Sequence, residues 1–165
     1  MGKIDRLAQA LQHMDPEVRW VAILDLERMG GAGVVDLLAL ALRDNDNLSV
    51  RWRAAYALGN TGSSRAVEPL IGALSDESQH VRSQAAASLG RLADPRAAEP
   101  LILRLLDPDP AVRITAFRSL VEIGAPARQA LKKASGKGDE GLQKTLKEIL
   151  HEIDERERRR VGEMP

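Results

Sequence analysis

The pair Val-Arg recurs four times in this chain, at 18–19, 50–51, 81–82 and 112–113, in steps of 32, 31 and 31 residues. That period constrains the fold more than any other feature. A unit of this size cannot bury its own apolar face and must stack on copies of itself. The agreement runs along each unit. Ala follows each Arg by three residues (Ala22, Ala54, Ala85, Ala116) and Leu by seven (Leu26, Leu58, Leu89, Leu120). Glycine closes three units, at Gly30, Gly62 and Gly124, with Ala93 in the third. A second recurring segment lies between these, "RAVEPLIGAL" at 65–74 and "RAAEPLILRL" at 96–105, again 31 apart. It is kept loosely as "GVVDLLALAL" (33–42) and more loosely as "APARQALKKA" (125–134).

Each unit therefore reads as two short helices. Asp15 before Pro16 and Asp109 before Pro110 set an N-cap acceptor ahead of a proline at the first helical position. Val50, Ala54, Ala57 and Leu58 share one buried face at i, i+4, i+7, i+8. The closing glycine suits a left-handed position past the helix end. In the partner helix, Val67, Leu70, Ile71 and Leu74 share a face. Pro69 and Pro100 fall near its first turn, where few amides have intrahelical acceptors. The ends read as caps. Ile4, Leu7, Ala8 and Leu11 mark an opening helix, and Leu142, Leu146, Ile149, Leu150 and Ile153 a closing one. The spacing predicts a single solenoid domain over 1–153, with units near 15–43, 44–74, 75–106 and 107–135 and caps at 1–14 and 139–153. The mixed-charge segment 154–165, "DERERRRVGEMP", is expected to fray as a disordered tail.

The residues "VR..AA.ALG" in 50–59 and 81–90, with "AVEPLI.AL" in 66–74 and its copy at 97–105, resemble the short HEAT-like repeats of phycobilisome-lyase HEAT-like proteins and of designed proteins on that consensus. The resemblance covers roughly residues 15 to 135. It implies an all-α right-handed solenoid of about four helix pairs with capping helices. It does not name an activity, because the scaffold serves unrelated ones.

Four aromatic residues are present: Trp20, Trp52, Tyr56 and Phe117. Trp52 lies about 200° around its helix from Val50, and Tyr56 stacks above it at i+4. Ser49, Trp52, Arg53 and Tyr56 make a stripe whose equivalents are Glu17, Trp20, Val21 and Leu24; His80, Ser83, Gln84 and Ala87; and Ala111, Ile114, Thr115 and Arg118. Core positions barely change between units, whereas these change freely, so the repeat's own packing does not dictate them. The resemblance places this stripe on the concave surface. Trp, Tyr and Arg are the side chains that dominate binding hot spots. The stripe is therefore read as a protein-binding groove of Trp20, Leu24, Trp52, Arg53 and Tyr56, rimmed by His80, Gln84 and Arg118. The competing reading packs both indoles between repeats as core.

Other features point to structure. Arg19, Arg51, Arg82 and Arg113 form a ladder with acids upstream (Asp15, Asp46, Asp76, Asp109), read as ion pairs across helix ends that set the stacking register. Deoxyhypusine hydroxylases, HEAT-like relatives, carry iron-binding His-Glu dyads just after Val-Arg. Here those positions are Trp20-Val21, Trp52-Arg53, Ser83-Gln84 and Ile114-Thr115, which cannot bind iron that way, so no metal or other cofactor is expected. "MGGAG" (29–33) lacks the Lys and Ser/Thr of a phosphate loop. No nucleophile has a paired base, and an enzyme is not expected. Lys plus Arg equals Asp plus Glu at 24 each, which argues against nucleic acid as the main partner. There is no cysteine and no apolar run that could span a bilayer. The expectation is a monomeric, cytoplasmic, non-catalytic scaffold for a protein partner. The alternative is a subunit or chaperone-like component of a phycobilin-lyase-type or other modifying complex, with nucleic-acid binding behind both.

Overall fold

The computed structural model describes residues 2–44 and 46–162, the side chain of Ala32 excepted. Ten α-helices follow one another among these residues: α1 (Lys3–Ala10), α2 (Pro16–Met29), α3 (Ala32–Ala41), α4 (Leu48–Asn60), α5 (Val67–Ala73), α6 (Gln79–Leu92), α7 (Ala98–Arg104), α8 (Pro110–Ile123), α9 (Arg128–Ala134) and α10 (Glu140–Gly162). Short 3-10 turns at Ser64–Ala66, Pro95–Ala97 and Ala125–Ala127 lead into α5, α7 and α9. Pro69 and Pro100 sit at the third position of their helices, and their missing amides break no intrahelical bond. Asp15 caps α2 by accepting from the Glu17 amide at 2.8 Å. Asp109 caps α8 by accepting from Ala111 at 2.8 Å and Val112 at 3.3 Å. Ala93 ends α6 at φ 51, a left-handed position that the other units give to glycine.

The helices form two layers. α2, α4, α6 and α8 stand side by side, with α10 against α8, and α3, α5, α7 and α9 back them. Neighbours in the first layer pack far more closely than neighbours in the second, so the stack curves toward the first layer. Ile23, Leu26, Leu58, Leu70, Leu89, Leu101, Leu120 and Leu131 are fully buried between the layers. Two glycines set the closest approach. A Cβ at Gly59 would lie 2.5 Å from Ser88 Cβ, and one at Gly90 would lie 2.8 Å from Ser119 Oγ and 2.9 Å from Ser119 Cα. The corresponding position in the first unit is Glu27. There α2 and α4 pack less intimately than α4 and α6, and a cleft of about 400 Å³ opens between Gly30, Gly31, Val34, Ala57 and Asn60.

The arginine ladder is an ion-pair system, but its partners lie one unit ahead instead of upstream. Arg19 pairs with Asp44 at 2.5 Å, Arg51 with Asp76 at 2.8 Å and Glu77 at 3.1 Å, and Arg82 with Asp107 at 2.9 Å. Arg113, expected to pair with Asp109, is in no ion pair among the described residues, but like the other three it donates to carbonyls of its own preceding loop. Arg51 reaches Asp44 O at 2.9 Å, Arg82 reaches Asp76 O at 2.9 Å, and Arg113 reaches Asp107 O at 2.8 Å. One guanidinium thus ties its own loop to the next unit's loop. The upstream acids Asp15 and Asp109 are occupied as N-caps. The segment expected to fray from 154 instead continues α10 to Gly162. Arg128 holds it, with Asp154 and Glu157 each at 2.5 Å. The expected tail residues 163–165 lie outside the described residues.

Candidate functional site

The stripe residues come together on the inner layer. Trp20 of α2 and Trp52 of α4 lie nearly parallel, 6.3 Å between ring centroids and 8° between planes. Tyr56, one turn along α4, continues the stack at 6.0 Å and 17°. These separations fall within the range in which aromatic pairs attract. The Arg53 guanidinium sits 4.9 Å from the Tyr56 centroid and 5.8 Å from that of Trp20. Arg53 is also paired with Glu27 of α2, which accepts from Asn60 Nδ2 at 2.8 Å. Its Nε is buried with no hydrogen-bond acceptor among the described residues. The two ring faces beside the guanidinium offset part of that cost.

The three rings are half-buried. Trp52 packs against the core with its inner part and borders an open hollow with the rest. Trp52 is thus part core and part surface. The indoles stack where α2 and α4 pack less intimately than α4 and α6, and Glu27 stands there in the slot that glycine fills in the next two units.

Beyond Trp52 the side chains become small. A hollow of about 470 Å³ lies between Trp52 and His80, Ser83, Ala87, Ala111 and Thr115. Ser83 Oγ and Thr115 Oγ1 are 2.9 Å apart, and Thr115 donates to Ala111 O at 2.8 Å, so Ser83 is the donor of the pair. Gln84 donates to Ser88 Oγ at 3.2 Å, and Ser88 donates to Ala55 O at 2.8 Å. Of the residues read as the site, Trp20, Trp52, Arg53 and Tyr56 form one contact set. Leu24 is half-buried and His80 and Arg118 are exposed, and none of these three has a ring contact with the stack among the described residues. Two members of the set were not read from the sequence. Arg91 lies 5.3 Å from the Tyr56 centroid, and Glu27 holds Arg53. The signal for Glu27 was available, since it occupies the slot of Gly59 and Gly90. Arg91 sits one repeat and one helical turn beyond Tyr56, outside any single-row alignment.

The model of HEAT repeats matches residues 4–78 and 67–163. The chain belongs to the HEAT repeat family. Among solved structures it is similar to the complex of CpcE and CpcF of phycocyanin lyase from Nostoc sp. PCC7120, with TM-score 0.68 and 26% identity over 93% of this chain and 65% of that one. The HEAT repeat chain therefore spans just under two thirds of that relative. It is also similar to the archaeal HEAT-like repeats protein from Thermococcus onnurineus NA1 (TM-score 0.62, 21% identity, 91% and 64% covered). Human deoxyhypusine hydroxylase shares the fold as well (TM-score 0.61, 20% identity, 92% and 73% covered). No curated protein matches the chain in sequence. Among the described residues, no group of three His, Cys, Asp or Glu side chains is disposed to hold a metal ion, and no helix is long and apolar enough to cross a membrane.

Proposed function

We propose that this HEAT repeat protein is a non-catalytic scaffold that holds a protein partner along the inner face of α2, α4, α6 and α8. The Trp20–Trp52–Tyr56 stack carries the reading. It places three half-exposed rings and two guanidinia where the repeat itself requires none of them. Such rings give large contact area at little entropic cost, and Arg adds directed hydrogen bonds. The reading takes the protein as a cytoplasmic monomer, and a chain without cysteine suits a reducing compartment. The test compares capture of a partner by wild type, Trp20→Ala, Tyr56→Ala and an outer-layer control, Arg65→Glu, with folding checked by circular dichroism. Loss of capture by the two inner-face variants alone is expected. Equal loss by the control, or none by Trp20→Ala, contradicts the reading.

A second reading is supported by the likeness to the phycocyanin lyase complex: a component of a bilin-lyase-type assembly. Adding a bilin and following tryptophan quenching and the visible band distinguishes it, because the scaffold reading expects neither to change.

A further inference from the structure

The inner face is chemically divided along its length. In the first two units its cation is neutralised, because Arg53 is held by Glu27. In the third unit Arg91 contacts the Tyr56 ring of this face, and in the fourth the exposed Arg118 occupies the slot that Tyr56 fills in the second; neither is in an ion pair among the described residues. Arg91 rests on Tyr56 and donates to Ser88 Oγ at 2.9 Å; Arg118 is exposed. They lie one helical turn beyond Ala87 and Thr115, which line the hollow beside Trp52. The apolar surface of the same face includes exposed Val21 and Ile114 at its two ends. The acids near this region are Glu17, at the opposite end of the face, Asp109, which lines the hollow and whose carboxylate is taken up by the Ala111 and Val112 amides, and Glu122, whose carboxylate would lie 2.6 Å from a Cβ at Gly90.

From this layout, and resting on the scaffold reading above, we infer that the partner is an acidic protein segment with an apolar anchor. The anchor fills the hollow between Trp52 and the small side chains Ser83, Ala87 and Ala111. Its carboxylates meet Arg91 and Arg118. A carboxylate there gains charge-assisted, bidentate bonds from guanidinia that are in no ion pair among the described residues. A basic segment would meet the same two charges, with only Glu122 and the amide-bound carboxylate of Asp109 to offset them. Nucleic acid fits less well. The chain's formal net charge is zero, two guanidinia outside ion pairs neutralise few phosphates, and the indoles are already stacked on other protein rings instead of being open to bases.

The experiment is a selection from a random peptide display library, run in parallel on wild type, Trp52→Phe and Arg91→Glu/Arg118→Glu. A labelled single-stranded oligonucleotide serves as counter-probe. Peptides that depend on Trp52 are expected to be enriched in Asp and Glu around an aromatic or branched aliphatic residue. Their affinity should fall about tenfold or more in the double charge reversal and weaken with salt. Peptides that depend on Trp52 but lack acids, or acidic ones indifferent to the charge reversal, overturn this inference and leave the scaffold reading standing. Recovery of no Trp52-dependent peptide removes both. Tighter binding of the oligonucleotide than of any selected peptide overturns the acidic-segment assignment.

Discussion

Replacing Asp107 by Ala tests whether the arginine ladder carries the stacking of the units. The Asp107 side chain is 1% exposed and that of Arg82 12%. The carboxylate accepts from Arg82 Nε at 3.0 Å and Nη2 at 2.9 Å, and from the Asp109 amide at 3.0 Å. Its removal strands a largely buried guanidinium, a change that costs about 3–5 kcal/mol. At roughly 2–4 °C per kcal/mol for a chain of this size, the midpoint of thermal unfolding should fall by about 6–20 °C. Asp36→Ala is the control, since the Arg65–Asp36 pair is 54% and 68% exposed and should lose no more than about 1 kcal/mol. Denaturant and thermal unfolding followed by circular dichroism measure both. Equal losses for the two variants refute the ladder as a structural device. The same pair fixes a pH dependence. Burial pushes the Asp107 carboxyl up, but Arg82, the Asp109 amide and Arg104 hold it below its ordinary value. Its contribution should therefore be complete above about pH 4 and be lost as pH falls below that value. Asp107→Ala should flatten this acid limb of the wild-type profile.

Gly90→Ala should destabilise by about 1–3 kcal/mol, because its Cβ would press on Ser119 Cα, a backbone atom that side-chain rotation cannot move. Ala93→Gly should stabilise by up to about 1 kcal/mol in the same unfolding assay, because it relieves a left-handed alanine. Either result with the opposite sign contradicts the geometry assigned to these turns.

The repeat architecture was legible because its determinants are local and repeated: Val50, Ala54 and Leu58 recur at fixed slots where any change of volume would be felt on both sides. The arginine partners were not. Asp44, Asp76 and Asp107 lie 25 residues ahead of Arg19, Arg51 and Arg82, so assigning them requires the register between units, and chain proximity pointed to the capping acids. The helical continuation past Asp154 was hidden for the same reason, since Arg128 is remote in sequence. The Trp20–Trp52 pairing could be read from their shared slot. The extent of their burial could not, because it depends on how closely α2 and α4 pack, which is set by contacts between units. Arg91 escaped because a side chain leaning back along its helix contacts the unit before it at a different row.

The most direct test of the inner-face account uses the two tryptophans of the chain. Their indole N–H groups give two signals in a ¹H–¹⁵N correlation spectrum, assigned with Trp20→Phe. On titration with a captured partner segment, both indole signals and the amides around Tyr56 and Arg91 should shift together, while those of α5, α7 and α9 stay in place. Unmoved indoles, with shifts gathered on the outer layer, would contradict it.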